Sequence, residues 1–112
     1  MAVSRPLELE RHEDAGGPRI ALRGELDIAT APRLQEAIDA ALAAAPARLV
    51  LDLRELSFLD SSGLRLFIVL AGRAEREGFQ LALVRPAPPT LSVFRITRAE
   101  ENLPFVDEPP SP

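Results

Sequence analysis

Asp60, Ser61 and Ser62 are the residues of this 112-residue chain whose types and spacing could most directly do chemistry. They sit inside Leu56-Ser57-Phe58-Leu59-Asp60-Ser61-Ser62-Gly63-Leu64, and the rest of the chain is organised around that stretch. An apolar run, Leu49-Val50-Leu51-Asp52-Leu53, ends just before it, and a long amphipathic segment begins just after Ser61. The pattern reads as a strand-to-helix turn that presents two hydroxyls at the mouth of a helix. Asp60 and Ser61 are both strong N-cap types, because a short side-chain oxygen accepts from the first free backbone N–H groups. An anion placed there also meets the positive end of the helix dipole. A hydroxyl so placed is either a plain cap or a phosphate acceptor, and local physics leaves both open.

Other chemistries fit less well. A nucleophile elbow needs glycines two residues either side of its serine. Around Ser61 those positions hold Leu59 and Gly63, and around Ser62 they hold Asp60 and Leu64. The single histidine, His12, lies among Glu8, Glu10, Glu13 and Asp14 and reads as a surface residue rather than a base or ligand. Asp52 ends an apolar run where a phospho-receiver places its acceptor, but a receiver also needs a lysine, and all 13 basic residues are arginine. Cysteine is absent, so thiolate chemistry, disulfides and cysteine metal sites are excluded together. Asp27, Asp52 and Asp60 would have to converge at one end of the sheet to hold Mg²⁺; capping and backbone-accepting roles are the favoured reading. No cofactor or metal is expected. A net charge of −4 speaks against a nucleic-acid surface, which needs a basic patch. No run nears the ~18–20 apolar residues of a membrane span, so a cytoplasmic protein is expected. What remains is a surface switched by modification. A phosphate on Ser61 adds about −1.5 to −2 charges. The helix dipole accommodates it, while Asp60, and Asp27 and Asp52 if close, sharpen the negative field that a partner meets.

The elements that position these residues follow from periodicity. Residues 7–11 alternate apolar and polar, Ala15-Gly16-Gly17-Pro18 is a turn cluster, and residues 19–24 resume the alternation, which predicts an antiparallel hairpin delivering Asp27. Thr30 is a hydroxyl cap and Pro32 a first-turn proline for a helix whose buried stripe is Ala31, Leu34, Ile38, Ala41, Leu42 and Ala45, stopped by Pro46. Residues 48–53 form a strand buried on both faces, as under helices. The second helix runs from about Ser61 to Arg76 with Gly78 as its C-cap. Its core stripe is Leu64, Phe67, Ile68, Ala71 and Ala74, while Leu66 and Val69 share another side with Arg65, Arg73 and Arg76. That side is either ordinary surface or an arginine-rimmed apolar docking face. Residues 79–84 make another strand, Thr90–Thr97 a short helix, and residues 103–106 a closing edge element. One domain over residues 1–106, with a disordered tail over 107–112, is expected. The order β-β-α-β-α-β-α-(β) is an α/β fold: a mixed sheet of four to five strands with helices packed on it.

Gly24-Glu25-Leu26-Asp27, Thr30-Ala31-Pro32, Leu49–Leu53 and the stretch Leu56–Leu64, in that order, resemble the STAS domain of bacterial anti-sigma factor antagonists. The likeness covers roughly residues 5–106. Any one block is weak alone; four at the right spacing make a specific signal. The resemblance implies a STAS fold and a non-enzymatic protein. It matches Ser61, with Ser62 as second choice, to the serine phosphorylated by an anti-sigma factor that is itself an ATP-dependent serine kinase. The unmodified antagonist binds that kinase and frees its sigma factor, and a PP2C-type phosphatase resets the switch. Partner binding is then expected at Asp27, Thr30, Asp52 and Asp60, at Ser61, Ser62 and Gly63, and along the helix at Leu64, Arg65, Leu66 and Val69. Many family members carry asparagine in place of Asp52. STAS domains also serve as non-enzymatic subunits of ABC-type lipid transport systems and in stress-signalling scaffolds, which is the alternative.

Overall fold

The computed structural model describes residues 6–110. Met1–Arg5 and the last two residues of the expected tail lie outside the described residues. Alternation folds β1 (Glu8–Asp14) against β2 (Gly17–Leu26) as the expected antiparallel hairpin. Asp14 faces Gly17, so the turn is the two residues Ala15-Gly16 and Pro18 already belongs to β2. Then come α1 (Ala31–Leu42), β3 (Arg48–Leu59), α2 (Ser61–Glu77), β4 (Gln80–Val84) and α3 (Pro88–Ile96). A short 3₁₀ turn, Ala99–Asn102, precedes β5 (Phe105–Val106). The sheet order is β1-β2-β3-β4-β5, with every pair after the hairpin parallel and joined by a crossover that holds a helix. Arg85 donates to the Asp107 carboxylate just beyond β5.

The strand before the site departs from expectation. Ala21 faces Asp52 but Arg23 faces Glu55, and Gly24 faces Leu56 but Glu25 faces Phe58. Each slip is one extra residue on β3, a bulge that bends the strand and shifts its alternation. Leu49, Leu51 and Leu53 reach the core at a spacing of two, and the bulges keep Leu56 and Leu59 there at a spacing of three. The strand therefore does not stop at Leu53; it runs on to Leu59 and hands the chain straight to Asp60. Ser57 ties the second bulge by donating from Oγ to the Gly24 carbonyl at 3.0 Å, where Gly24 holds φ +102°, a conformation side chains disfavour.

Buried residues from all three helices, among them Leu34, Ile38, Phe67, Leu70, Leu91 and Phe94, join one cluster with Leu49, Leu51 and Leu53. Phe94 bridges it to the far strand, with Phe67 at 6.0 Å between ring centroids and Phe105 edge-on at 5.1 Å. β3 is buried on both faces as expected, but the helices cover only one. On the other, Val50, Ala82 and Val84 form a separate small cluster with Val106 against it. Two helix stripes also differ. α1 stops at Leu42, and Ala45 is exposed at φ +49° rather than buried. In α2 the fully buried positions are Gly63, Phe67, Leu70 and Ala74; Ile68 is 51% exposed, because the stripe is centred on Phe67 and Leu70 rather than on Ile68.

Candidate functional site

The start of α2 is set by one carboxylate. Asp60, extended at φ −103° and ψ −171°, accepts at Oδ1 from the N–H groups of Ser62 (2.9 Å) and Gly63 (3.2 Å). Its other oxygen, Oδ2, accepts from the Ile28 N–H at 3.2 Å, and its own N–H donates to the Leu26 carbonyl at 3.2 Å. Of the two cap candidates in the sequence, Asp60 takes the role. Ser61 is then the first residue of α2, exposed, with no hydrogen-bond partner for its hydroxyl among the described residues. Ser62 is half-buried behind it.

Beside it, the loop from β2 to α1 is folded on Asp27. Asp27 Oδ1 accepts from Ala29 N–H (2.9 Å), Thr30 N–H (2.9 Å) and the Thr30 hydroxyl (3.1 Å). Thr30 is not a side-chain cap of α1: its Oγ1 accepts from Asp27 N–H at 2.9 Å and approaches the Glu25 carbonyl at 3.0 Å. Short hydroxyl side chains satisfy nearby backbone in turns as readily as at caps. Gly63 lets α2 close on the sheet, since a Cβ there would stand 2.9 Å from Leu26 Cδ2 and 3.3 Å from Leu59 Cβ. The tight spot explains the glycine without any ligand.

Between α1 and α2 lies a groove of about 450 Å³ lined by Ile28, Ala31, Pro32 and Gln35 on one wall and Ser62, Arg65, Leu66 and Val69 on the other. Ile28 is 77% exposed and Val69 53%. Leu66 and Val69 thus share a surface with Arg65, as the helix pattern suggested, while Arg73 does not. Arg73 donates instead to Asp39 of α1 and to Glu77, both at 2.7 Å. The α1 wall was not read from the sequence. Its signal was Ile28, an isoleucine stranded in the polar turn between Asp27 and Thr30.

Asp52 belongs elsewhere. It pairs with Ala21 on the helix-free face of the sheet, seven residues and two bulges before the end of β3, roughly 23 Å of strand at ~3.3 Å per residue. It does not join Asp27 and Asp60. Among the described residues no group of three His, Asp or Glu could hold a metal ion. Arg54 grips Asp52 from Nε at 2.9 Å, from a terminal nitrogen at 2.6 Å and through its backbone N–H at 3.1 Å. Burial alone would push the Asp52 carboxyl up. The bonds and charge of Arg54, aided by the charge of Arg19, outweigh it and hold the carboxyl below the usual carboxylate value.

A family model described as "Mlab, STAS domain" matches residues 9–106. The chain belongs to the STAS family. This STAS chain is 41% identical over 59 residues to the anti-sigma-F factor antagonist RsfB of Mycobacterium tuberculosis, covering 53% of this chain and 46% of RsfB. It spans about half the length of that curated relative. The crystal structure of an anti-sigma factor antagonist from Mycobacterium paratuberculosis matches at TM-score 0.78 and 29% identity, over 95% of this chain and 92% of that one. The antagonist SpoIIAA in its unphosphorylated form matches at TM-score 0.71 and 25% identity, over 92% and 88%. The phosphorylated form of Bacillus SpoIIAA matches at TM-score 0.68, also at 25% identity, over 92% and 91%. The mixed sheet and helices are those of the STAS fold. No helix of the described residues is long and apolar enough to cross a membrane.

Two outcomes follow from this geometry. Asp60→Ala leaves the Ser62, Gly63 and Ile28 N–H groups without their acceptor, and stability to urea falls by about 1–2 kcal/mol. The Asp52 carboxyl is lowered in the folded state, so its contribution is complete above the unfolded value and is lost as pH falls through the folded one. The urea midpoint of the unsubstituted protein therefore drops more steeply as pH falls below about 5 than that of Asp52→Asn.

Proposed function

We propose that this chain is an anti-sigma factor antagonist that works by partner switching. Unphosphorylated, it binds an anti-sigma factor with serine kinase activity through the Ser61 end of α2 and the groove beside it, and so frees the sigma factor. The reading rests chiefly on one observation: the Ser61 hydroxyl is exposed at the start of α2 while Asp60 does the capping. The names of the most similar relatives support it, as do the solved unphosphorylated and phosphorylated forms of SpoIIAA.

Ser61 Oγ attacks the γ-phosphoryl group of the ATP held by the kinase. The O–P bond to Ser61 forms, the bond to the β-phosphate oxygen breaks, the hydroxyl proton passes to a base of the kinase, and ADP leaves. A PP2C-type phosphatase reverses the state by hydrolysis, returning a proton to Oγ and releasing inorganic phosphate. The chain itself catalyses neither step. The phosphate lies on the N-terminal side of α2, where the dipole tolerates it, so the fold survives the change. Asp60 and Asp27 stand on the same side, and Asp52, far along β3, takes no part. A surface that offered a neutral hydroxyl beside an apolar groove becomes anionic. Like charge set against a partner costs several kcal/mol, where ~1.4 kcal/mol is already tenfold in affinity. The setting is the cytoplasm, with no direct contact to nucleic acid or membrane.

The test uses three baits in native lysate: the unsubstituted chain, Ser61→Ala and Ser61→Asp, with captured proteins read by mass spectrometry. A small kinase-like ATPase held by the first two and weakened at least tenfold by Ser61→Asp is the expected result. Equal capture by all three removes the switch, and an ABC transporter subunit held equally would make the chain a non-enzymatic STAS subunit.

A further inference from the structure

We infer that Arg65 is the internal counter-ion of a phosphate on Ser61, and that pairing the two withdraws the arginine that lines the groove. The inference rests on the phospho-switch proposed above and concerns how it acts. Ser61 and Arg65 are four residues apart on α2, neighbours across one helical turn. The anion stands N-terminal to the cation, which is the better order for such a pair. Side chains on a helix lean toward its N-terminus, which puts the turn that holds Ser61 within reach of the Arg65 guanidinium.

What makes Arg65 available is that its surroundings leave it unengaged. Arg54 is bound to Asp52 and Arg73 to Asp39 and Glu77. Arg65 is exposed and has no carboxylate partner among the described residues. The nearby anions are occupied: Asp60 by three backbone N–H groups, Asp27 by two and by the Thr30 hydroxyl. A guanidinium forks onto phosphate oxygens as it does onto a carboxylate. Among the described residues it is also the one cation lining a groove whose other walls are Ile28, Ala31, Pro32, Leu66 and Val69 with two neutral polar residues.

Modification then changes the groove in two ways. It adds an anion at the rim, and it draws into the chain a cation that was free to meet an acidic group of the partner. Phosphate repulsion and loss of Arg65 act together on one interface, from a single local event.

The inference is tested without any kinase by installing phosphoserine at position 61 during synthesis. The phosphate is followed by ³¹P NMR against pH at low salt in the unsubstituted chain, Arg65→Gln and Arg65→Lys, with circular dichroism to establish that each is folded. A neighbouring cation favours the dianion. The titration midpoint of the unsubstituted chain is therefore expected about 0.3 pH below that of Arg65→Gln, the scale of an i,i+4 ion pair. Arg65→Lys is expected in between, and the difference to shrink in ~1 M salt. Coincident midpoints for the unsubstituted chain and Arg65→Gln at low salt overturn the counter-ion role. Because the phosphate is installed chemically, that failure is separate from failure of the switch itself, which the lysate baits read.

Discussion

One carboxylate holds the Ser61 end of this molecule together. Asp60 binds two N–H groups of α2 and one of the loop between β2 and α1, while its own N–H is tied to the end of β2. Helix, sheet and loop therefore meet at a single side chain. The consequence for chemistry is indirect but strong. Because an aspartate satisfies the first turn, the serine after it is not needed as a cap, and its hydroxyl faces solvent. A residue that the fold does not require can change its charge without unfolding what surrounds it.

Getting Asp60 to that position depends on the shape of β3. Two bulges bend the strand and reset its alternation, so that Leu56 and Leu59 stay in the core while the chain reaches the end of β2. Gly63 then allows α2 to approach Leu26 and Leu59 closely. The close approach brings the first turn of α2 beside α1, and the groove between them is the gap left by Ile28, Pro32, Leu66 and Val69. The same local packing that caps the helix thus also builds the apolar wall next to Ser61.

Much of this was legible from residue types and spacing. The hairpin, the three helices, the glycine C-cap at Gly78 and the serine at the helix mouth all follow from local rules, and the family resemblance held across residues 9–106. What was not legible is non-local. The end of β3 was hidden because a bulge breaks the period of two that announces a strand. Asp52 looked like a site residue because strand ends gather ligands, yet the strand continued past it and left it bound to Arg54. Thr30 stands at the cap position of α1 as expected, but its hydroxyl serves the turn on Asp27 instead of the helix, since a hydroxyl satisfies either environment. The α2 stripe was misjudged at Ile68 because Leu66, Phe67, Ile68, Val69 and Leu70 are all apolar. Periodicity cannot choose among five adjacent hydrophobes; the sheet beneath them does.

The most direct measurement of the central claim is the position of phosphate on the protein taken from its native cells. Peptide mass spectrometry before and after a stress that changes sigma-factor output should find phosphate on Ser61, in a fraction that varies with the stress, and none on Ser62. Phosphate on Ser62 alone would shift the site by one residue and contradict the assignment made from the exposed hydroxyl. Absence of phosphate from both serines under every condition, with the partner still bound, would contradict the switch.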